Sequence, residues 1–173
     1  MSNNLEIPQE FQYLYAPGYN SITKIPKESL RKKCDNVLVV SLKTRELINR
    51  MIKEMRSNNG VGLAAPQVGV NQNIIVVGIG DKPIVMINPV IVEGYGPLIE
   101  SEEGCLSIPG LYGYVVRTDS IRVQALDKKG KMFEMKLQGL SARVVQHEVD
   151  HLNGILFIDR ANPETLHWKH PEK

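Results

Sequence analysis

Residues 144–154 read VVQHEVDHLNG, two histidines four positions apart with a glutamate directly after the first. On a helix, positions i and i+4 share a face, with Cβ atoms about 5–6 Å apart. His147 and His151 can therefore aim imidazole nitrogens at one cation, about 2.0–2.1 Å from each. Glu148 is rotated by about 100° from His147. That sets it beside such a cation without forcing it on, the place of a base that takes a proton from coordinated water. The same spacing also occurs in helices that bind nothing. Val144, Val145 and Ile155 flank the histidines with apolar side chains, which implies a partly buried face, and buried histidines require polar partners. Asp150 is expected to point away, into solvent.

Working outward, Gly154 is placed to end a helix that starts near Ser141 and runs to Asn153. A first helix is predicted over Thr44–Asn59, where Leu47, Ile48, Met51, Ile52 and Met55 share a face. Thr44 is read as its N-cap and Gly60 as its C′ residue. GVGLAAPQVGV follows and reads as a loop. β-branched runs predict strands at 73–79, 83–92, 112–118, 120–127 and 131–138, with DKKG turning between the last two. Strands gathered between two helices predict an α+β fold, with mixed or antiparallel strands packed around the C-terminal HExxH helix. Residues 1–20 are expected to form an irregular extension and 21–173 a single domain.

A chain of 173 residues is long enough for one good core. A net charge of +2 is too small to point to nucleic acid or an anionic membrane as the main partner. No apolar run reaches the roughly 18 residues of a membrane helix. The first twenty residues hold no Lys or Arg and two glutamates, unlike a secretory or transit segment. The protein is therefore expected in the cytoplasm, or in an organelle only if a targeting segment has been removed. Of two cysteines, expected reduced, Cys34 among charged residues reads as incidental.

Two histidines need a third ligand, with one position left for water or substrate. Metzincin proteases supply a third histidine in HExxHxxGxxH. Here the match holds as far as Gly154, but Phe157 stands at that histidine's place and cannot ligate. Other zincins use a downstream glutamate. Glu164 and Glu172 lie in NPETLHWKHPEK, a tail that reads as polar and mobile, with His167 and His170 exposed in it. The third ligand is thus sought upstream, in ESEEGCLSIPG (100–110), where Cys105 would be a soft thiolate donor. GVGLAA also fits GxGxxA, with Asp81 as the distal acid of a dinucleotide site. That fingerprint must follow a strand and open a helix; this one follows a helix, and Pro66 spoils the next.

Three motifs, GVGLAAPQ (60–67), EGCLS (103–107) and QHEVDHLNG (146–154), stand intact and in order. With them the chain resembles the peptide deformylases over roughly residues 22–160. The resemblance implies that Cys105, His147 and His151 hold one divalent metal, with Glu148 as general base and then acid. It places Gln67 and the Leu106 N–H in an oxyanion hole, where one donor can be worth roughly 3–4 kcal/mol. The metal would lower the pKa of bound water from 15.7 towards about 7, and the hydroxide would attack a formyl carbonyl and release formate. The substrate implied is a nascent chain beginning with formyl-methionine. It would be bound along Gly60, Val61 and Gly62 as an added strand, with contacts from Glu103 and Gly104. Val61, Leu106, Leu140 and Val144 are expected to line the methionine pocket. Glu103 would also orient a basic partner, Arg117 or Arg143. The family implies ferrous iron in the cell, with Zn2+, Ni2+ or Co2+ as substitutes, since imidazole and thiolate donors suit all four. Transient contact with the ribosome would follow from a nascent-chain substrate. A zinc metallopeptidase of the HExxH type is the alternative, and stands only if Cys105 is not a ligand. Departures from common members are the long N-terminal extension, Tyr112 where some place an arginine, Ser101 at an often apolar position, and the short tail.

Overall fold

The computed structural model describes residues 5–80 and 82–170. Asp81 and Glu172 lie outside the described residues. Two α-helices, α1 (Leu42–Ser57) and α2 (Leu140–Leu152), pack on a sheet of six antiparallel strands. The strands are β1 (Gly62–Ala64), β2 (Ile74–Val77), β3 (Ile84–Cys105), β4 (Ile108–Leu126), β5 (Met132–Gln138) and β6 (His167–Trp168). The sheet order is β1-β2-β3-β4-β5, and β6 pairs with β4. This is the α+β arrangement expected.

The continuous apolar run of β2 has a simple cause: helices cover both of its faces. Ile75 and Val77 point to the core that α2 closes with Ala142, Val145 and Leu152. Ile74 and Val76 point to the core that α1 closes with Ile48, Met51 and Met55. A third cluster, with Leu30, Ile108, Leu111, Val115, Leu156 and Phe157, seals the end of the β3–β4 hairpin.

Several boundaries move. The N-cap of α1 is Ser41, whose side chain accepts from the Thr44 N–H while Thr44 reciprocates. Thr44 is thus the third helical residue and is buried. At the other end Asn59, not Gly60, takes the left-handed conformation, with φ 54°. The supposed loop at 60–70 contains β1, paired to β2 from Gly62↔Val77 to Ala64↔Ile75. β3 and β4 form one long hairpin that absorbs three of the predicted strands. Its polar middle, Glu93–Glu102, holds its place by cross-strand pairing rather than by burying apolar side chains. Pro97, which cannot donate to a ladder, sits at a shift of register between Tyr95 and Leu98. Of the extension, Gln9–Tyr15 forms a 3-10 turn whose Phe11 and Leu14 are buried. The tail is anchored too, through β6 and the 3-10 turn Pro163–Thr165.

Candidate metal centre

β3 ends at Cys105, and the two residues Leu106 and Ser107 turn the chain into β4, with Cys105 opposite Ile108. This tight hairpin lowers the thiol onto the face of α2. The Cys105 Sγ lies 3.2 Å from the His151 Nε2. One donor atom from each of Cys105, His147 and His151 lies within 4.8 Å of the other two. Phe157, at the place of the missing third histidine, is 1% exposed and stacks on the His147 ring with centroids 6.3 Å apart. It packs the site instead of ligating.

The donor set fits a transition metal. The Nδ1 of His147 is engaged by the Glu103 carboxylate at 2.9 Å, which orients the ring and leaves Nε2 for a cation. For His151, burial and then the neighbouring His147 lower the pKa well below its usual value, so the ring is neutral and able to ligate. For His147 burial acts downward too, but Cys105 and Glu103 outweigh it and raise the pKa. His147 thus tends to hold a proton that a cation would displace.

Glu103 is buried, and its carboxylate is taken up by partners inside the protein. It accepts from Arg117 through Nε at 2.6 Å and Nη2 at 3.0 Å, from Arg143 at 2.7 Å and from His147. Its side chain thus ties β3 to β4 and α2, through Arg117, Arg143 and His147. Arg117 also donates to Asp150 at 2.9 Å, and Arg160 donates twice to Asp150 at 2.6 Å. Asp150, expected in solvent, is 6% exposed because these two arginines pair it there. Nor is Arg117 a surface ion pair: it is buried between both acids. Arg160 had no signal in the sequence; its partner lies ten residues back along the chain.

Burial tends to raise the Glu103 pKa, but the hydrogen bonds from His147 and Arg117 prevail and hold it at about 2. Being depressed, it stabilises the fold above its ordinary value of 4.5, and that stability is lost as the pH falls towards 2. Glu103→Gln is expected to weaken metal binding by about 10–100-fold and to flatten acid unfolding across that window. A chelator titration and an acid melt check it; unchanged metal affinity would mean that the carboxylate does not orient His147.

Glu148 stands beside the donor set and is 4% exposed, with Oε2 buried and unpartnered among the described residues. Burial pushes its carboxyl up to about 7, against the pull of His147. Gln67 is held by its own loop: Oε1 accepts from the Ala64 N–H at 2.8 Å, which turns Nε2 towards Ser107 Oγ at 3.2 Å and Cys105 Sγ at 3.6 Å. Leu106 packs against the α1 core.

The glycines of the first motif have a use inside the fold. A Cβ on Gly60 would lie 2.8 Å from Leu106 Cδ1, and one on Gly62 would lie 2.5 Å from Glu148 Oε1 and 2.6 Å from Val144 Cγ1. Both let β1 lie against the hairpin and the metal helix. Gly62→Ala should displace Glu148, lowering turnover tenfold or more (about 1 Å of misplacement can cost 10²-fold) with metal content unchanged. Turnover alongside metal analysis tests this, and native turnover would show that α2 yields harmlessly. Gly104 lies under the Tyr112 ring, where a Cβ would come within 2.6 Å. Of the expected pocket residues, Val144 is buried, Leu106 half-buried, and Val61 and Leu140 exposed.

An antiparallel sheet backed by a helix with two histidines, met by a cysteine from a hairpin, defines a metal-dependent hydrolase with one thiolate and two imidazole ligands. A polypeptide deformylase profile matches residues 19–167, and the chain belongs to that family, with its metal-dependent deformylase activity. The chain is 49% identical over 141 residues to the peptide deformylase of Halothermothrix orenii, covering 80% of this chain and 91% of that one. The Dictyoglomus thermophilum peptide deformylase is 48% identical over 145 residues, 84% of this chain and 94% of that one. Among solved structures, a peptide deformylase from Synechococcus elongatus in complex with actinonin superposes with TM-score 0.81 at 38% identity, covering 86% of this chain and 83% of that chain. One from Legionella pneumophila gives 0.79 at 44%, covering 84% and 87%.

Proposed function

We propose that the protein removes the formyl group from the N-terminal formyl-methionine of nascent chains, with Cys105, His147 and His151 as metal ligands. One observation carries this reading: Glu148 is buried next to three converging donors without belonging to the donor set. Three ligands leave a position for the reacting groups. A divalent cation there would lower the pKa of coordinated water towards neutrality and polarise a carbonyl. Glu148, with its carboxyl near 7, takes up a proton at neutral pH and returns it to the leaving amine. Gln67 Nε2, preset by Ala64, and the Leu106 N–H donate to the developing oxyanion.

β1 ends the sheet path and pairs only with β2 among the described residues. Its other edge suits a substrate backbone added as a further strand, running by Gly60, Val61 and Gly62 and past Gly104. Leu140 and Val144 serve the methionine side chain. This binding reads few side chains, as an enzyme acting on many nascent chains requires. The closeness of Cys105 to His151 argues against the zinc metallopeptidase alternative, which needs the thiol elsewhere. Ferrous iron is the proposed cellular metal, with zinc, nickel or cobalt able to replace it. The cytoplasm is the proposed location, with transient ribosome contact; among the described residues no helix is long and apolar enough to cross a membrane.

The test is formate release from a formyl-Met tripeptide by protein loaded with ferrous iron or nickel without oxygen. A substrate with only an internal peptide bond runs in parallel. Formate without internal cleavage is expected. Internal cleavage, or no formate despite bound metal, would overturn the reading.

A further inference from the structure

The family match begins at residue 19, yet residues before it are packed into the molecule. Leu14 is fully buried and Phe11 nearly so, both against Gly110, where a Cβ would lie 2.9 Å from the Phe11 ring. Phe11 also stacks on His170 and packs tilted against Trp168, with centroids 4.5 and 5.1 Å away, and the Lys169 N–H donates to the Gly110 carbonyl at 2.8 Å. The turn Gln9–Tyr15 and residues 168–170 thus meet over the first residues of β4, just after the turn that carries Cys105.

Within this arrangement Tyr15, the last residue of the 3-10 turn, donates its hydroxyl to the Pro109 carbonyl at 3.2 Å. Pro109 lies at a register shift of the hairpin: Ile108 pairs with Cys105 and Tyr112 with Gly104 of β3, and Leu111 also pairs with Trp168 of β6. The segment after Tyr15 continues the bracing. The Thr23 N–H donates to the Gln67 carbonyl at 2.7 Å, and the Ile25 N–H to the Ser107 carbonyl at 3.1 Å. We propose that Tyr15 is a positioning residue, whose hydroxyl, by holding the Pro109 carbonyl, fixes the hairpin that presents the Cys105 thiolate and the Leu106 N–H to the metal site. Burial, and then the nearby Cys105, raise the Tyr15 pKa, so the hydroxyl stays protonated and able to donate. The proposal rests on the ligand and oxyanion roles assigned above.

Tyr15→Phe keeps the ring and removes the bond. In full-length protein loaded with cobalt or nickel, three quantities are measured: metal release to a chelator, the thiolate-to-metal absorption band, and kcat and KM for a formyl-Met peptide. One hydrogen bond of ordinary strength predicts release roughly three- to tenfold faster and kcat lower by a similar factor, with KM unchanged and the band shifted. Tyr13 on the same turn is 50% exposed and directs its hydroxyl to His170; Tyr13→Phe should behave as native. Native release and kcat in Tyr15→Phe would overturn the proposal, even if the melting temperature falls. So would an equal effect of Tyr13→Phe, which would indicate general loosening. Should the native protein release no formate, the metal-release and absorption arms still decide the role of Tyr15, while the deformylase reading falls separately.

Discussion

Glu148→Ala is expected to keep its metal and lose about 10²–10⁴-fold in kcat/KM for a formyl-Met peptide, the range of a lost general acid–base group. Metal retention follows from the donor geometry, because Cys105, His147 and His151 converge without the glutamate. The loss follows from its carboxyl, which burial brings to about 7. A group that exchanges its proton near neutral pH can both accept from water and deliver to an amine. Stability should move the other way. A buried carboxyl with one oxygen unpartnered opposes folding, so the variant should melt no lower than the native protein. Metal analysis, formate release and a thermal melt on one preparation give all three numbers. Turnover within tenfold of native would remove Glu148 from the mechanism.

Cys105→Ala should lose the metal itself. Losing an outer partner such as Glu103 costs about 10–100-fold in affinity, and losing a ligand should cost more than that. The variant should therefore shed its metal during dialysis and release no formate, while remaining folded. Cys34 cannot take over. It is 7% exposed among core residues, contrary to its incidental look in the sequence, and burial, then Asp35, push its thiol up to about 11. At neutral pH it is no thiolate, and Cys34→Ala should leave metal content and turnover unchanged. Undiminished metal in Cys105→Ala would break the proposed ligand set and reopen the metallopeptidase alternative.

The spacing in QHEVDHLNG made α2 and its two histidine donors legible, because a helix turns neighbours at i and i+4 onto one face whatever surrounds it. The apolar stripe of α1 was legible for the same reason, although its start was misread by three residues: Thr44 and Ser41 are both good caps, and only the backbone conformation at Ser41 decides between them. The three residues of β1 lie below the length at which a period shows, and glycines disguised them as a loop. The middle of the long hairpin was invisible because Glu93–Glu102 has no buried face, and its strand conformation comes from the ladder to β4.

For the site, the types of the ligands were written in the three motifs, since thiolate, imidazole and carboxylate chemistry belongs to the residues themselves. Their electrostatic setting was not. Glu103 and Arg117 are 14 positions apart, and Arg117 and Asp150 are 33. No local pattern tells a buried pair from two solvated charges. The bracing of the Cys105 hairpin by Tyr15 spans 94 positions. The sequence by itself determined which atoms can hold a metal and move a proton, because those are properties of single side chains at helical spacing. Only the tertiary structure decided which charges are desolvated, which hydrogen bonds orient His147, and what holds the thiol in place, because burial and long-range pairing are set by the whole chain.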